Sequence, residues 1–139
     1  MTQPFLSRPV QHRHRVRVYW EDTDAGGVVF YANYLKFFER ARTEWLRMLG
    51  FGQQRLKDEH GLMFVVSHAA VDYLRPAKLD DEIDLTVGVR DAGRVSLMVD
   101  QQALRGDQLL AQGSIRIGCV DAATLKPQRI PKPILERIA

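Results

Sequence analysis

The period of the apolar residues changes at Asn33, and that change separates one long helix from a chain otherwise built for strands. Tyr34, Phe37, Phe38, Ala41, Trp45, Met48 and Leu49 recur at i, i+3, i+4, i+7, i+11, i+14 and i+15, a wide stripe of helical period. Lys36, Glu39, Arg40, Arg42, Thr43, Glu44 and Arg47 lie off it. Gly50 supplies the stop. The spacing predicts a single helix of about four turns or more.

Elsewhere the pattern alternates. Arg15 to Trp20 reads as a strand, preceded by an arm over residues 1–12 that Pro4 and Pro9 keep loose. After a short helical link from Gln53 to Glu59, Met63 to Leu74 reads as a strand closed by Pro76. Ile83, Leu85, Val87 and Val89 alternate within Glu82 to Arg90, and Ala92-Gly93 marks a turn. Val95, Leu97 and Val99 carry the alternation to Leu104, and Arg105-Gly106-Asp107 turns into Gln108 to Val120. Lys126 to Pro133 reads as irregular and basic, and Ile134 to Ile138 as a last helical turn. Strand, long helix, then three or four consecutive antiparallel strands imply an α+β domain whose sheet curls around the helix. One helix cannot cover both sheet faces, so the remaining face is expected to make oligomer contacts.

The chain of 139 residues is one domain, 45% hydrophobic and 27% charged, which excludes a disordered protein. A net charge of +3 fits a soluble surface or a polyanionic small molecule. Neither an aromatic RNA-binding signature nor a helix-turn-helix signal accompanies it, so nucleic acid is not expected. Cys119, the single cysteine, cannot form an internal disulfide. Arg8, His12, Arg13, His14, Arg15 and Arg17 interrupt any secretory apolar core, and no stretch approaches the roughly 18 residues of a membrane span. The expected location is cytoplasmic.

Ahead of the helix runs Glu21-Asp22-Thr23-Asp24-Ala25-Gly26-Gly27-Val28-Val29-Phe30-Tyr31. Asp24 suits an Asx turn or a helix cap. The same geometry also suits hydrolysis. N–H groups at a helix start are unpaired and partly positive. A glycine loop (Gly26, Gly27, Val28) can aim such groups at a carbonyl oxygen without a Cβ clash. A nearby carboxylate can then deprotonate water or attack the carbonyl itself. That chemistry needs no metal and no cofactor.

The string EDTDAGGVVFYANYLKFFERARTEWLR closely resembles the YbgC-type acyl-CoA thioesterases, hotdog-fold relatives of hydroxybenzoyl-CoA thioesterase. DYLRPAKLDDEIDL (Asp72 to Leu85) and RIPKPI (Arg129 to Ile134) extend the likeness, which covers residues 14–135. The resemblance implies a hotdog fold, an acyl-CoA substrate whose coenzyme A is no separate cofactor, and a homodimer or homotetramer. It implies Asp24 as the catalytic carboxylate and the Tyr31 backbone N–H as oxyanion donor. Many YbgC-type chains carry His where this one has Tyr31, and a backbone donor tolerates that exchange.

Arg94, Lys126, Arg129 and Lys132 are the candidate partners of the coenzyme A phosphates. Phe30, Tyr31, Tyr34 and Phe37 are candidates either for an acyl pocket or for simple core. Asp22 is expected to hold the loop through backbone N–H groups. His12 and His14 lack a third ligand for a metal, and His60 and His68 read as structural. Because such relatives are often encoded beside Tol–Pal envelope components, the alternative is a non-catalytic adaptor binding acyl carrier protein or envelope proteins.

Overall fold

The computed structural model describes residues 10–138, and the expected helix is α1, Asn33–Met48. It buries Tyr34, Phe37, Phe38, Ala41, Trp45 and Leu46 against a five-stranded antiparallel sheet. Gly50 stops it at φ +91°, a left-handed conformation that favours glycine.

Three helix residues depart from the stripe. Met48 is exposed and Leu46 is buried instead. Arg42 is buried too. Arg42 and Leu46 are four residues apart and share a flank, and the chain returns along it as Phe51 donates to the Leu46 carbonyl at 2.8 Å. The Arg42 guanidinium donates to Gln101 at 2.9 Å, and the Gln101 amide donates onward to the carbonyls of Phe38 and Thr86. Burial lowers the Arg42 pKa to about 10, against the opposing pull of Glu39. This polar bridge pins the helix to the sheet where sliding apolar surfaces alone would not fix its position.

The strands are β1 (His12–Arg17), β2 (Leu62–Tyr73), β3 (Glu82–Ala92), β4 (Ser96–Arg105) and β5 (Gln108–Asp121), in the order β1-β3-β4-β5-β2. Ile83, Leu85, Val87 and Val89 of β3, with Leu97 and Val99 of β4, face α1 in the core. The strands after the helix number four, yet they are not a simple meander. β2 pairs with β5, Leu62 opposite Asp121 through Tyr73 opposite Ala111, not with β3. Loop 74–81 therefore crosses the end of the sheet. It leaves β5 where Leu74 and Arg75 donate to the Leu110 carbonyl, and reaches β1 where Val18 and Asp80 exchange backbone bonds with Asp81 and Val18. That crossing loop is the platform of the site.

β1 starts three residues earlier than the alternation suggested, and its register runs from His12 opposite Val87 to Arg17 opposite Glu82. Gln11 also donates to the Val87 carbonyl. The last residues of the expected arm thus belong to the sheet, and residues 1–9 lie outside the described region. Trp20, expected in the strand, is instead in a 3-10 turn, Trp20–Asp22, with its ring exposed. α2 (Gln53–His60) links α1 to β2, and α3 (Lys132–Ile138) starts two residues before the expected turn because Pro133 is tolerated in a first turn. No helix among the described residues is long and apolar enough to cross a membrane.

Candidate active site

The aspartate segment folds into a small hairpin that is zipped onto the start of α1. Asp24 donates its N–H to the Val28 carbonyl at 2.8 Å, Thr23 bridges Val29, and Phe30 donates to the Asp22 carbonyl at 2.9 Å. Gly27 turns the tip at φ +79°, where a β-carbon is strained. The hairpin rests on the crossing loop, Val29 donating to the Ala77 carbonyl at 2.9 Å and Val28 bridging Lys78.

Asp22 holds this arrangement from beneath. Its carboxylate is buried and accepts the Tyr19 backbone N–H at 2.8 Å and the Asn33 side-chain amide at 2.9 Å. One of the two donors is therefore a side chain on the first turn of α1, so Asp22 ties the loop to the helix itself. Asp22→Ala leaves both donors without an acceptor, at about 1–3 kcal/mol for each buried group. The expected result is a loss of about 2 kcal/mol or more in urea unfolding. An unchanged midpoint with unchanged m-value would show that the hairpin stands without this carboxylate.

Asp24 does make an Asx turn: its Oδ1 accepts the Gly26 N–H at 2.8 Å and, more weakly, the Val28 N–H at 3.5 Å. A β-carbon on Gly26 would approach that oxygen to 3.2 Å, so glycine there leaves the carboxylate its position. Oδ2 has no hydrogen-bond partner among the described residues. The turn and the chemistry are thus compatible. One oxygen orients the group, and the other is available to a proton or a carbonyl carbon.

At the helix entrance, Asn33 donates to the Phe30 carbonyl, Tyr34 to Tyr31 and Leu35 to Ala32. The N–H groups of Tyr31 and Ala32 have no acceptor among the described residues. They carry the partial positive charge of the amino end of α1.

Beside them is a cavity of about 240 Å³ between the hairpin, α1 and the crossing loop. Val28, Tyr31, Tyr34, Tyr73, Arg75 and Pro76 are among the residues that line it. Tyr73 is central to the aromatic wall, with its ring centroid 5.9 Å from Tyr31 and 5.6 Å from Tyr34. Burial pushes the Tyr34 and Tyr73 phenols up, which keeps both as neutral walls at ordinary pH. Of the residues expected at the site, Val28, Tyr31 and Tyr34 line this cavity; Asp24, Gly26 and Gly27 form the adjoining hairpin tip and are not among its lining residues. Phe30 is exposed beside Tyr31, and Phe37 is in the core.

The basic candidates sit elsewhere. Ile130 donates to the Arg94 carbonyl at 2.8 Å, which joins the β3–β4 turn to the segment holding Lys126, Arg129 and Lys132. β3 leads from the hairpin end of the sheet to that turn, on the order of 33 Å at about 3.3 Å per residue. Within one chain these cations are at the opposite end from Asp24. Cys119 is buried, its thiol pushed up by burial and directed at the Arg129 carbonyl, so it is no nucleophile. His12 and His14 share with Val16 the inward side of β1, and His68 is exposed on β2.

Sequence reasoning missed Asn33 as the partner of Asp22, although a polar residue opening an apolar stripe was a usable signal. Tyr73, Arg75 and Pro76 were also missed as cavity residues. They reach the site only through the strand crossing.

The family described as the thioesterase-like superfamily matches residues 18–138. An acyl-CoA thioesterase YbgC of Haemophilus influenzae is 46% identical over 119 residues, covering 86% of this chain and 88% of the relative. An acyl-CoA thioester hydrolase YbgC of Escherichia coli is 43% identical over 124 residues, covering 88% and 92%. Among solved structures, a probable thioesterase from Bartonella henselae is 35% identical with a TM-score of 0.83, covering 86% of this chain and 98% of that one. An Aquifex aeolicus protein is 30% identical with a TM-score of 0.86, covering 91% and 98%. The sheet wrapped on one helix, the zipped aspartate hairpin and these likenesses agree: the chain belongs to the thioesterase-like superfamily, as a YbgC-type member with the hotdog fold.

Proposed function

We propose that this protein hydrolyses acyl-CoA thioesters to the free acid and coenzyme A, with Asp24 and the Tyr31 backbone N–H as its machinery. The observation that carries this reading is the hairpin pairing, which ties a half-free carboxylate to a helix start with unused N–H groups. Relatives named as acyl-CoA thioesterases support it. Asp24 takes a proton from water, the resulting hydroxide adds to the thioester carbonyl, and the Tyr31 N–H receives the oxyanion. Collapse of the tetrahedral intermediate expels the thiolate, which recovers the proton from Asp24. In the other route Asp24 attacks the carbonyl first and expels the coenzyme A thiolate. Water then hydrolyses the mixed anhydride, giving the free acid, Asp24 and a proton for the thiolate. A panel of acyl-CoAs followed by release of free thiol tests the reading. Binding without thiol release would favour the adaptor alternative.

The functional unit is a homo-oligomer in this reading. β2 is a sheet edge twelve residues long whose outer side has no partner strand among the described residues, and bare edges of that length invite pairing. Beside it runs an apolar groove floored by Leu35, Val66, Ala69 and Ile115. A two-fold pair through β2 reverses the second sheet. Arg94, Arg129 and Lys132 of a second copy then approach the Asp24 end of the first, where coenzyme A phosphates need them. Sedimentation is expected to give a dimer or larger. A stable monomer at micromolar concentration with full activity would overturn this arrangement.

A further inference from the structure

We propose that the acyl group this enzyme prefers is short and ends in a carboxylate, which Arg75 receives; the proposal rests on the thioesterase reading and names its substrate class. Val28, Val29, Leu74 and Pro76 give the cavity an apolar lining, and Tyr31, Tyr34 and Tyr73 an aromatic one. Among the described residues, Arg75 is the one charged residue lining it. At about 240 Å³ the cavity falls below the roughly 300–1,000 Å³ of sites for drug-sized ligands, so it suits a few carbons rather than a long chain.

Among the described residues several arginines are ion-paired, and Arg75 is not. Arg105 is held by Asp81 at 2.7 Å, Arg90 by Asp100, and Arg15 and Arg17 by Glu82. Arg75 has no carboxylate within ion-pair distance among the described residues. Instead its Nη1 donates to the Leu109 carbonyl at 2.9 Å, and its backbone N–H to the Leu110 carbonyl. One neutral carbonyl, that of Leu109, thus holds the side chain, and the backbone bond to Leu110 holds the residue at the cavity wall, while the rest of its planar donor set stays available. An apolar, open cleft lined both by the residue of the oxyanion donor and by an unpaired arginine is complementary to a dicarboxylic acid joined to coenzyme A through one end. Tyr31 N–H takes the thioester oxygen, and Arg75 takes the distal carboxylate as a charge-assisted pair.

Succinyl-CoA and butyryl-CoA test this, because they share the coenzyme and the four-carbon length and differ in the terminal charge. The readout is the ratio of their kcat/KM values, so any general loss of activity or folding cancels. In the wild-type chain the ratio is expected to favour succinyl-CoA and to fall as salt is raised. Arg75→Gln should lower it about five-fold, the upper size expected for a charged pair at an exposed wall. Arg75→Glu should lower it further, and Arg75→Lys should retain part of it. A wild-type preference for butyryl-CoA, or a ratio that Arg75→Gln and Arg75→Glu leave unmoved, overturns the proposal while the thioesterase reading survives. Failure to hydrolyse any acyl-CoA in the wider panel overturns both. If the variants do not fold, the wild-type ratio and its salt dependence decide alone.

Discussion

Asp24→Asn is expected to lower turnover by at least about 10²-fold while leaving the fold and oligomeric state unchanged, the loss typical of removing a general base. The prediction is clean because the structural role of this carboxylate and the chemical role proposed for it fall on different properties. Its Oδ1 accepts the Gly26 and Val28 N–H groups, and the amide oxygen of Asn can accept both. The hairpin closure is mostly main chain, through the Asp24–Val28, Gly27–Asp24 and Phe30–Asp22 bonds, and survives the exchange. What disappears is basicity: an amide neither takes a proton from water nor forms an anhydride. Both routes therefore lose the reacting group. Thiol release should collapse while circular dichroism and urea midpoint match the wild type. Asp22→Ala gives the reverse pattern, since that carboxylate is buried among structural donors. Near-normal hydrolysis by Asp24→Asn would remove Asp24 from the chemistry.

The contrast between the two aspartates also marks how far the sequence could be read. The helix, the strand runs and the aspartate loop are local features, and local periodicity or a local motif exposes them. The pairing of β2 with β5 is not local. It depends on loop 74–81 crossing the sheet end, and no periodicity reports which neighbour a strand chooses. The cavity inherits this blindness: Tyr73 and Arg75 meet Tyr31 only because that crossing passes under the hairpin. Arg42 was misplaced for a different reason. A charged residue counts as solvent-facing in any pattern of apolar positions, and only Gln101, on a distant strand, reveals the buried acceptor waiting for it. The phosphate-binding candidates were grouped by charge and loop position, and one chain holds them at the far end from Asp24. Distance along a strand was the quantity that charge alone could not supply.

Tyr31→Pro is expected to cost about 10²–10³ in rate, the usual effect of removing one oxyanion donor, whereas Tyr31→Phe should stay within a few-fold of the wild type. The pair separates backbone from side chain at a single position. The Tyr31 N–H has no acceptor among the described residues, so proline there breaks no observed main-chain bond. The position precedes α1 by two residues, where a fixed φ is better tolerated than in a helix interior. Proline still restricts Phe30, whose N–H helps close the hairpin on Asp22, and it removes the ring that meets Tyr73 edge-on. Tyr31→Ala controls for the ring, since it keeps the N–H while deleting the aromatic contacts. Comparison is valid for variants that retain the wild-type circular dichroism and sedimentation. If the N–H is the donor, turnover falls in the order Phe, Ala, Pro, with the large step at Pro. Tyr31→His, the residue common in YbgC-type chains, should hydrolyse with an altered acyl preference, because it changes a cavity wall and keeps the donor. A collapse in Tyr31→Phe with folding intact would move the chemistry to the phenol, and the amino end of α1 would then lose its part in the reaction.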